Sequence, residues 1–366
     1  MPDEIRESIL KLQDLRKSKV LLYFLSDRRS TVPIPGMNTV MAGEPHLIIY
    51  DHLRKMGHVP NLDLVIHTRG GSLDAVWPLV SICREMSEHF TVFVPMTAHS
   101  AGTLLCLGAE EVFLGTSASL SPIDPTTANH FNPADKHGVP KGISVEDVIS
   151  YFRLARDKSK GAGIHSEQYI LEVFKQLSNS VDPLALGNVN RVHTQIRLLA
   201  DKLLNLHPSQ FSNKEHINRI VKVLTEELYS HSHQIGVTEA INLFGDKFIR
   251  RPSKEVEQAM WDIFEGCATV FKLRNTFNIK EWIGSETQKI LETAGAILLS
   301  ENLKHIFTSK MIIRQLPELP TQVQIQIPPG QQMPLIPGLP TRINIEPVKE
   351  GWYTISEAEN IWNNIA

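Results

Sequence analysis

Cysteine is scarce in this 366-residue chain, which holds three, Cys83, Cys106 and Cys267, far apart and odd in number. That argues against a disulfide framework and fits a reducing compartment. Long apolar runs are lacking as well. The longest, Val20 to Leu25 and Ala294 to Leu299, are much too short to span a bilayer, so no integral membrane segment is expected. The opening Met1-Pro2-Asp3-Glu4 is acidic and has no signal-peptide pattern, and the expected location is cytoplasmic. Nor is there an excess of one charge. The 37 Lys and Arg against 40 Asp and Glu give a formal net charge of −3, which leaves no electrostatic case for nucleic acid or an anionic membrane. His231-Ser232-His233 is the only close histidine pair, with no carboxylate or cysteine at ligand spacing, so no metal is expected. Arg69-Gly70-Gly71 lacks the Gly-Lys-Ser/Thr completion of a phosphate loop, and no cofactor is expected either.

What is present is an alternation of strand and helix patterns. Residues 4–18 place apolar and charged positions at helical spacing, and Val20 to Leu25 reads as a buried strand. Two strand–turn–helix units follow. Leu62 to His67 leads through Arg69-Gly70-Gly71 into a helix from Ser72 to Met86, and Thr91 to Val94 leads through His99 to Gly102 into a short apolar helix, Thr103 to Gly108. Val112 to Leu114 adds a further strand. Strands alternating with helices imply a parallel sheet covered on both faces, an α/β fold.

Residues 115–142 form a long Ser/Pro/Asp/Asn/Gly-rich connection without periodicity, a length that inside a compact domain usually serves function or motion. Helices are expected at about 144–158, with Ser144-Val145-Glu146-Asp147 as a capping box, and at 165–178, 183–206 and 213–230. The pattern resets near Arg250-Arg251-Pro252. Helices at about 254–273 and 284–298 are expected, then a Pro-rich stretch in which residues 323–327 and Ile343-Asn344-Ile345 alternate as two short strands of a hairpin. The expected division is an α/β domain over residues 1–250 and a helical extension with a Pro-rich β-hairpin tail over 251–366.

The chemistry concentrates in the two turns. Serine is a poor nucleophile at neutral pH and needs a positioned base and a stabilised oxyanion. Ser100 lies where a strand ends and a helix begins, flanked by small residues, where backbone N–H groups are unpaired. The N–H of Ala101 could point at a tetrahedral intermediate. Gly70-Gly71, one strand earlier, offers a second donor, because glycine lets backbone approach a substrate closely. A serine at such a place is also an ordinary N-cap, and spacing alone leaves both readings open.

Three segments carry a resemblance: Thr68-Arg69-Gly70-Gly71-Ser72, Ala98-His99-Ser100-Ala101-Gly102-Thr103, and the run from Gly115 to Pro125 with its Ser121-Pro122-Ile123-Asp124-Pro125 element. Together they resemble the ClpP/crotonase-like clan, and most of all the serine dehydrogenase proteinase family, relatives of ClpP and signal peptide peptidase A. The resemblance is dense over about 60–145, weaker to about 250, and slight beyond about 310. It implies a ClpP/crotonase-like parallel sheet built of repeated β-β-α units, with a helical C-terminal part ending in short strands. It further implies a serine peptidase acting through an acyl-enzyme on Ser100, with Gly71 and Ala101 as the oxyanion hole. Peptide or protein substrates, a homo-oligomer and a regulatory protein partner go with that reading.

Relatives of the ClpP type use histidine as the base, but the corresponding position falls near Ile123 or Asp124, and neither is histidine. Two solutions stay open. Lys141, about forty residues after Ser100 and just ahead of the Ser144 cap, matches the lysine of a Ser–Lys dyad, and a helix N-terminus and burial by substrate would both favour its neutral amine. In the other solution Asp124 orients a later histidine, His231 or, inside a long amphipathic helix, His193. His99 points away from its serine neighbour on a helix start. Readings from other classes are a crotonase-type acyl-CoA enzyme, which would use the same two N–H donors on an enolate, and a non-catalytic or latent scaffold with the same fold.

Overall fold

The computed structural model describes residues 2–123, 126–127, 129–135, 140–228, 230, 232–318 and 340–355. Its first part alternates as the sequence suggests: α1 (Pro2–Arg16), β1 (Lys19–Leu25), α2 (His46–Met56), β2 (Val59–His67), α3 (Val76–Glu85), β3 (Ser87–Val94), β4 (Thr97–Ala98), α4 (Ala101–Leu107), β5 (Glu111–Leu114) and β6 (Ser119–Leu120). A middle part follows with β7 (Thr126–Thr127), β8 (Ile143–Ser144), α5 (Val145–Arg156), α6 (Glu167–Ser180), α7 (Pro183–Leu204), α8 (Lys214–Lys222), β9 (Ile235–Gly236), α9 (Val237–Phe244) and β10 (Ile249–Arg250). The chain closes with α10 (Lys254–Val270), α11 (Ile279–Ile283), β11 (Gln288–Leu299), β12 (Lys304–Pro317) and β13 (Thr341–Thr354).

One eight-stranded sheet organises these elements in the order β10-β5-β3-β2-β1-β11-β12-β13. The pairings from β10 to β1 are parallel, and those from β1 to β13 antiparallel. Leu22 marks the change of direction, with Val65 on one side and Leu299 on the other. β1 is apolar after Lys19 because both its faces are buried. Leu21, Tyr23 and Leu25 join a core covered by α2, α3, α4, α7, α8 and α9. Val20, Leu22 and Phe24 face the opposite core, closed by Ile5, Ile9 and Leu12 of α1 and by α10. The layered α/β architecture is the one expected.

The C-terminal part needs correcting. Residues 284–298 are not a helix, because β11 occupies Gln288–Leu299 and lies against β1. The run Ala294-Gly295-Ala296-Ile297-Leu298-Leu299 is continuously apolar, and periodicity cannot tell such a run from a buried helix. Gly295 was the overlooked signal. It sits at a register irregularity between Ala294 and Ala296, its carbonyl accepts hydrogen bonds from Ser26 N–H and Thr39 Oγ1, and a Cβ there would lie 2.5 Å from Gly36 O. The strands at the end are also not short. β12 was not expected, β13 runs through Ile343-Asn344-Ile345, and the two pair along their length. The expected partner strand at 323–327 lies outside the described residues. Residues on both sides of the expected 250/251 division thus share one sheet.

At the opposite end of the sheet from Ser100, Asp63 is fully buried between Arg16 Nε (3.3 Å) and Ser18 Oγ (2.7 Å). Its Oδ1 has no partner. Burial outweighs both neighbours and pushes the carboxyl up to about 6, against 3.8 ordinarily. The folded protein therefore takes up this proton before the unfolded chain does, and Asp63 adds stability as the pH falls from 7 toward 4. Urea melts of wild type and Asp63→Asn should diverge over that window by as much as about 2 kcal/mol. Parallel curves would remove this role.

Candidate active site

β2 ends at His67, and the chain continues through Thr68 beside the stretch that follows β3. Thr68 N–H donates to Thr97 O (2.9 Å), and Thr68 O accepts from His99 N–H (3.0 Å). The turn at 68–71 is thereby laid against 97–100. Gly70, at φ +105°, then reverses the strand's alternation. Its carbonyl turns outward to accept from Met41 N–H (2.7 Å), and Ser72 N–H donates to Met41 O (2.8 Å). In an extended strand neighbouring residues direct their polar groups to opposite edges, so Gly71 N–H faces away from Met41. Gly70 N–H is taken by the Thr68 hydroxyl at 3.0 Å. Gly71 N–H has no acceptor among the described residues.

Ser100 packs directly on this turn. A Cβ on Gly70 would lie 2.7 Å from Ser100 Cβ, 2.9 Å from His99 O and 3.3 Å from Ala101 N. Gly102 serves a similar purpose on α4, where a Cβ would collide with Thr68 Cγ2 at 2.5 Å. Ser100 adopts φ 51°, ψ −113°, a conformation costing a non-glycine residue about 1–3 kcal/mol. Hydrogen bonds hold it there. Its N–H donates to Ser121 Oγ (2.8 Å), whose hydroxyl donates to Pro122 O (2.8 Å), and Ser121 N–H donates to Thr103 Oγ1 (3.0 Å). Gly102 N–H donates to His99 O and Leu104 N–H to Ser100 O.

The Ser100 side chain makes no capping bond to α4, so the N-cap alternative does not describe it. Its hydroxyl is half-buried, and neither it nor Ala101 N–H has a hydrogen-bond partner among the described residues. Ser100 thus sits against the Gly70-Gly71 turn, with one hydroxyl and two N–H groups unclaimed among the described residues. Ser121, Thr103 and Thr68, which brace this turn, escaped the sequence reading. The signal for them was the alternation of Ser119 and Ser121, which turns the Ser121 hydroxyl to the elbow.

His99 lies beside the elbow, with Nε2 2.9 Å from Ser119 Oγ. Lys141 lies between Pro140, which bridges Ala134, and β8, where Ile143 pairs with Thr127. Lys141 N–H donates to Pro133 O (2.7 Å), and its carbonyl accepts from Asn132 Nδ2 (2.8 Å), so its backbone is fixed at both ends. Its side chain is exposed. Ser144 caps α5 as expected, accepting from Asp147 N–H at 3.2 Å. Asp124 and His231 lie outside the described residues. His193, on α7, stands 3.9 Å from Glu226, a carboxylate that also pairs with Arg153 and Arg197. Among the described residues no cluster of three or more His, Cys, Asp or Glu side chains is placed to hold a metal ion, and no helix is long and apolar enough to cross a membrane.

Residues 4–143 match the model of a family described as ClpP-like SDH-type serine proteinases. Two uncharacterized proteins of Methanocaldococcus jannaschii are similar to the chain. One is 27% identical over 50% of this chain and 51% of its own length, and the other 30% identical over 31% and 38%. The chain thus spans about half of one of these curated relatives and about two fifths of the other. Among solved structures, a mutant of the 1510-N membrane-bound stomatin-specific protease aligns with 66% of this chain and 85% of its own, at 10% identity and a TM-score of 0.36.

Proposed function

With residues 4–143 matching the ClpP-like SDH-type serine proteinase family, we propose that the protein is a serine peptidase whose nucleophile is Ser100. The observation that carries this reading is the elbow itself. A serine at positive φ abuts a Gly-Gly turn, and among the described residues its hydroxyl and the N–H groups of Gly71 and Ala101 have no partner. A structural serine would cap its helix. This one leaves the cap empty and accepts backbone strain.

In the proposed reaction Ser100 Oγ attacks the scissile carbonyl carbon while its proton passes to Nζ of Lys141. The oxyanion is met by Gly71 and Ala101 N–H. The C–N bond then breaks, the leaving amine takes the proton from Lys141, and water hydrolyses the acyl-enzyme by the reverse proton path. Support for Lys141 is its place in the chain and a backbone pinned by Pro133 and Asn132.

A fluorophosphonate probe tests nucleophile and base together. Wild type should label at Ser100, and Lys141→Ala should lower the labelling rate by about 10²-fold or more. Labelling that survives Lys141→Ala but disappears in Asp124→Ala or His231→Ala would transfer the role of base to that pair.

A further inference from the structure

Arg69 is the residue before the Gly-Gly turn, and an exposed side chain fixed so close to a nucleophile calls for an explanation. Consecutive Cα atoms lie about 3.8 Å apart, so Arg69 Cα is within about 8 Å of the Ser100 side chain, given the contact between Gly70 and Ser100 Cβ. Arg69 Nε donates to Asp27 Oδ2 at 3.0 Å, while the other oxygen, Oδ1, lies 3.3 Å from His67 Nε2. Asp27 is largely buried, and the ring of His67 is 2% exposed and stacked on Phe24 with centroids 4.5 Å apart. Burial alone would raise the Asp27 carboxyl. The hydrogen bonds and charges of His67 and Arg69 overcome it and hold the group far below the usual carboxylate range.

The guanidinium is therefore gripped by its inner edge only. Its side chain is 53% exposed, and its two Nη groups have no partner among the described residues. A surface ion pair contributes only about 0–1 kcal/mol, too little to account for anchoring an arginine on a buried carboxylate, a buried histidine and a phenylalanine. What the arrangement does provide is orientation. Guanidinium Nη groups presented as a fork match a carboxylate in two parallel hydrogen bonds.

We infer that Arg69, oriented by Asp27 and His67, is a specificity-determining residue that binds a substrate carboxylate beside the scissile bond. The substrates are then peptides bearing an acidic side chain, or a terminal carboxylate, within a residue or two of the bond cut. This inference rests on the peptidase reading, so its test uses binding as well as turnover.

Fluorescent octapeptides of neutral sequence serve as probes. One set carries a single Glu at successive positions with an amidated C-terminus, a second carries no Glu but a free C-terminal carboxylate, and a third has neither. Ser100→Ala protein, which cannot turn them over, should bind the best acidic probe at least 10-fold more tightly than the neutral one. The preference should shrink as salt is raised. In Ser100→Ala/Arg69→Gln the ratio should fall to near one, and in Ser100→Ala/Arg69→Glu it should favour a Lys-containing probe at the same position. That reversal is something a merely structural arginine cannot produce. If hydrolysis is measurable, the same ratios should appear in kcat/KM, chiefly through KM. Equal binding of acidic and neutral probes, or an acidic preference that survives Arg69→Gln, would overturn the inference. Failure of Ser100 to label with fluorophosphonate would instead count against the peptidase reading and leave the binding result to decide for Arg69. Which probe set binds separates a side-chain carboxylate from a terminal one.

Discussion

Ser100→Ala should abolish peptide hydrolysis, a fall of about 10⁴-fold or more, while leaving the melting temperature within a degree or two of wild type. The oxygen is lost but the backbone strain stays, since alanine dislikes φ 51° as much as serine does. Ser100→Gly separates the two. Glycine adopts that φ without a Cβ penalty, which relieves roughly 1–2 kcal/mol, against about 0.5–1 kcal/mol for the greater freedom of the unfolded chain. The glycine variant should therefore be as inactive as the alanine variant and slightly more stable than wild type. Strain of this kind clusters at active sites, which is why it supports the proposed role of Ser100. Retention of hydrolysis by Ser100→Ala would end this reading. A clear loss of stability in Ser100→Gly would show that the elbow is not strained.

Gly71→Ala should be nearly as damaging, for a different reason. Its φ is +144°, and a Cβ there would sit 2.3 Å from Met41 O and 2.5 Å from Met41 N. Both are backbone atoms, held by the hydrogen bonds that join Met41 to Gly70 and Ser72, so neither can give way as a flexible side chain would. The turn must move instead, at a cost of about 2–4 kcal/mol. Thermal unfolding should register that as a fall of several degrees. Turnover per folded molecule should fall by about 10² or more, because the proposed oxyanion donor shifts with the turn. An alanine variant that loses stability but keeps full turnover per folded molecule would mean that Gly71 N–H is not used.

The parallel half of the fold could be read from the sequence because its signals are local. Leu62 to His67 and Thr91 to Val94 are apolar runs ended by Gly-bearing turns, and each turn is followed by a helix start. The two small-residue turns could be paired by resemblance, and in the structure Gly70 packs against Ser100. Beyond residue 284 the signals are no longer local. β11 is a strand because Leu22, Phe24 and Leu25 lie beside it and the 36–39 loop crosses at Gly295, and nothing in its own composition reports either neighbour. The bracing of Ser100 by Ser121 and Thr103 was hidden for the same reason. Serine and threonine are common, and their roles come from which carbonyl or N–H they happen to meet. Met41 looked like any apolar residue, yet its backbone is what fixes the turn, by hydrogen bonds to Gly70 and Ser72.

The position of β1 also bears on the order in which the molecule can be made. Its parallel neighbour, β2, follows within some forty residues, but its antiparallel neighbour is β11, with Leu22 against Leu299. A nascent chain emerging from the ribosome can assemble β1, β2, β3 and β5 early. It must then carry an uncovered, almost wholly apolar edge of Val20 to Leu25 until nearly three hundred residues have been synthesised. At ordinary elongation rates that wait lasts on the order of tens of seconds, long enough for an open strand edge to recruit other chains. The C-terminal strands thus act late, as the cover that ends this exposure. A stop codon between residues 122 and 288 should yield aggregates, even though every residue of the elbow has already been made.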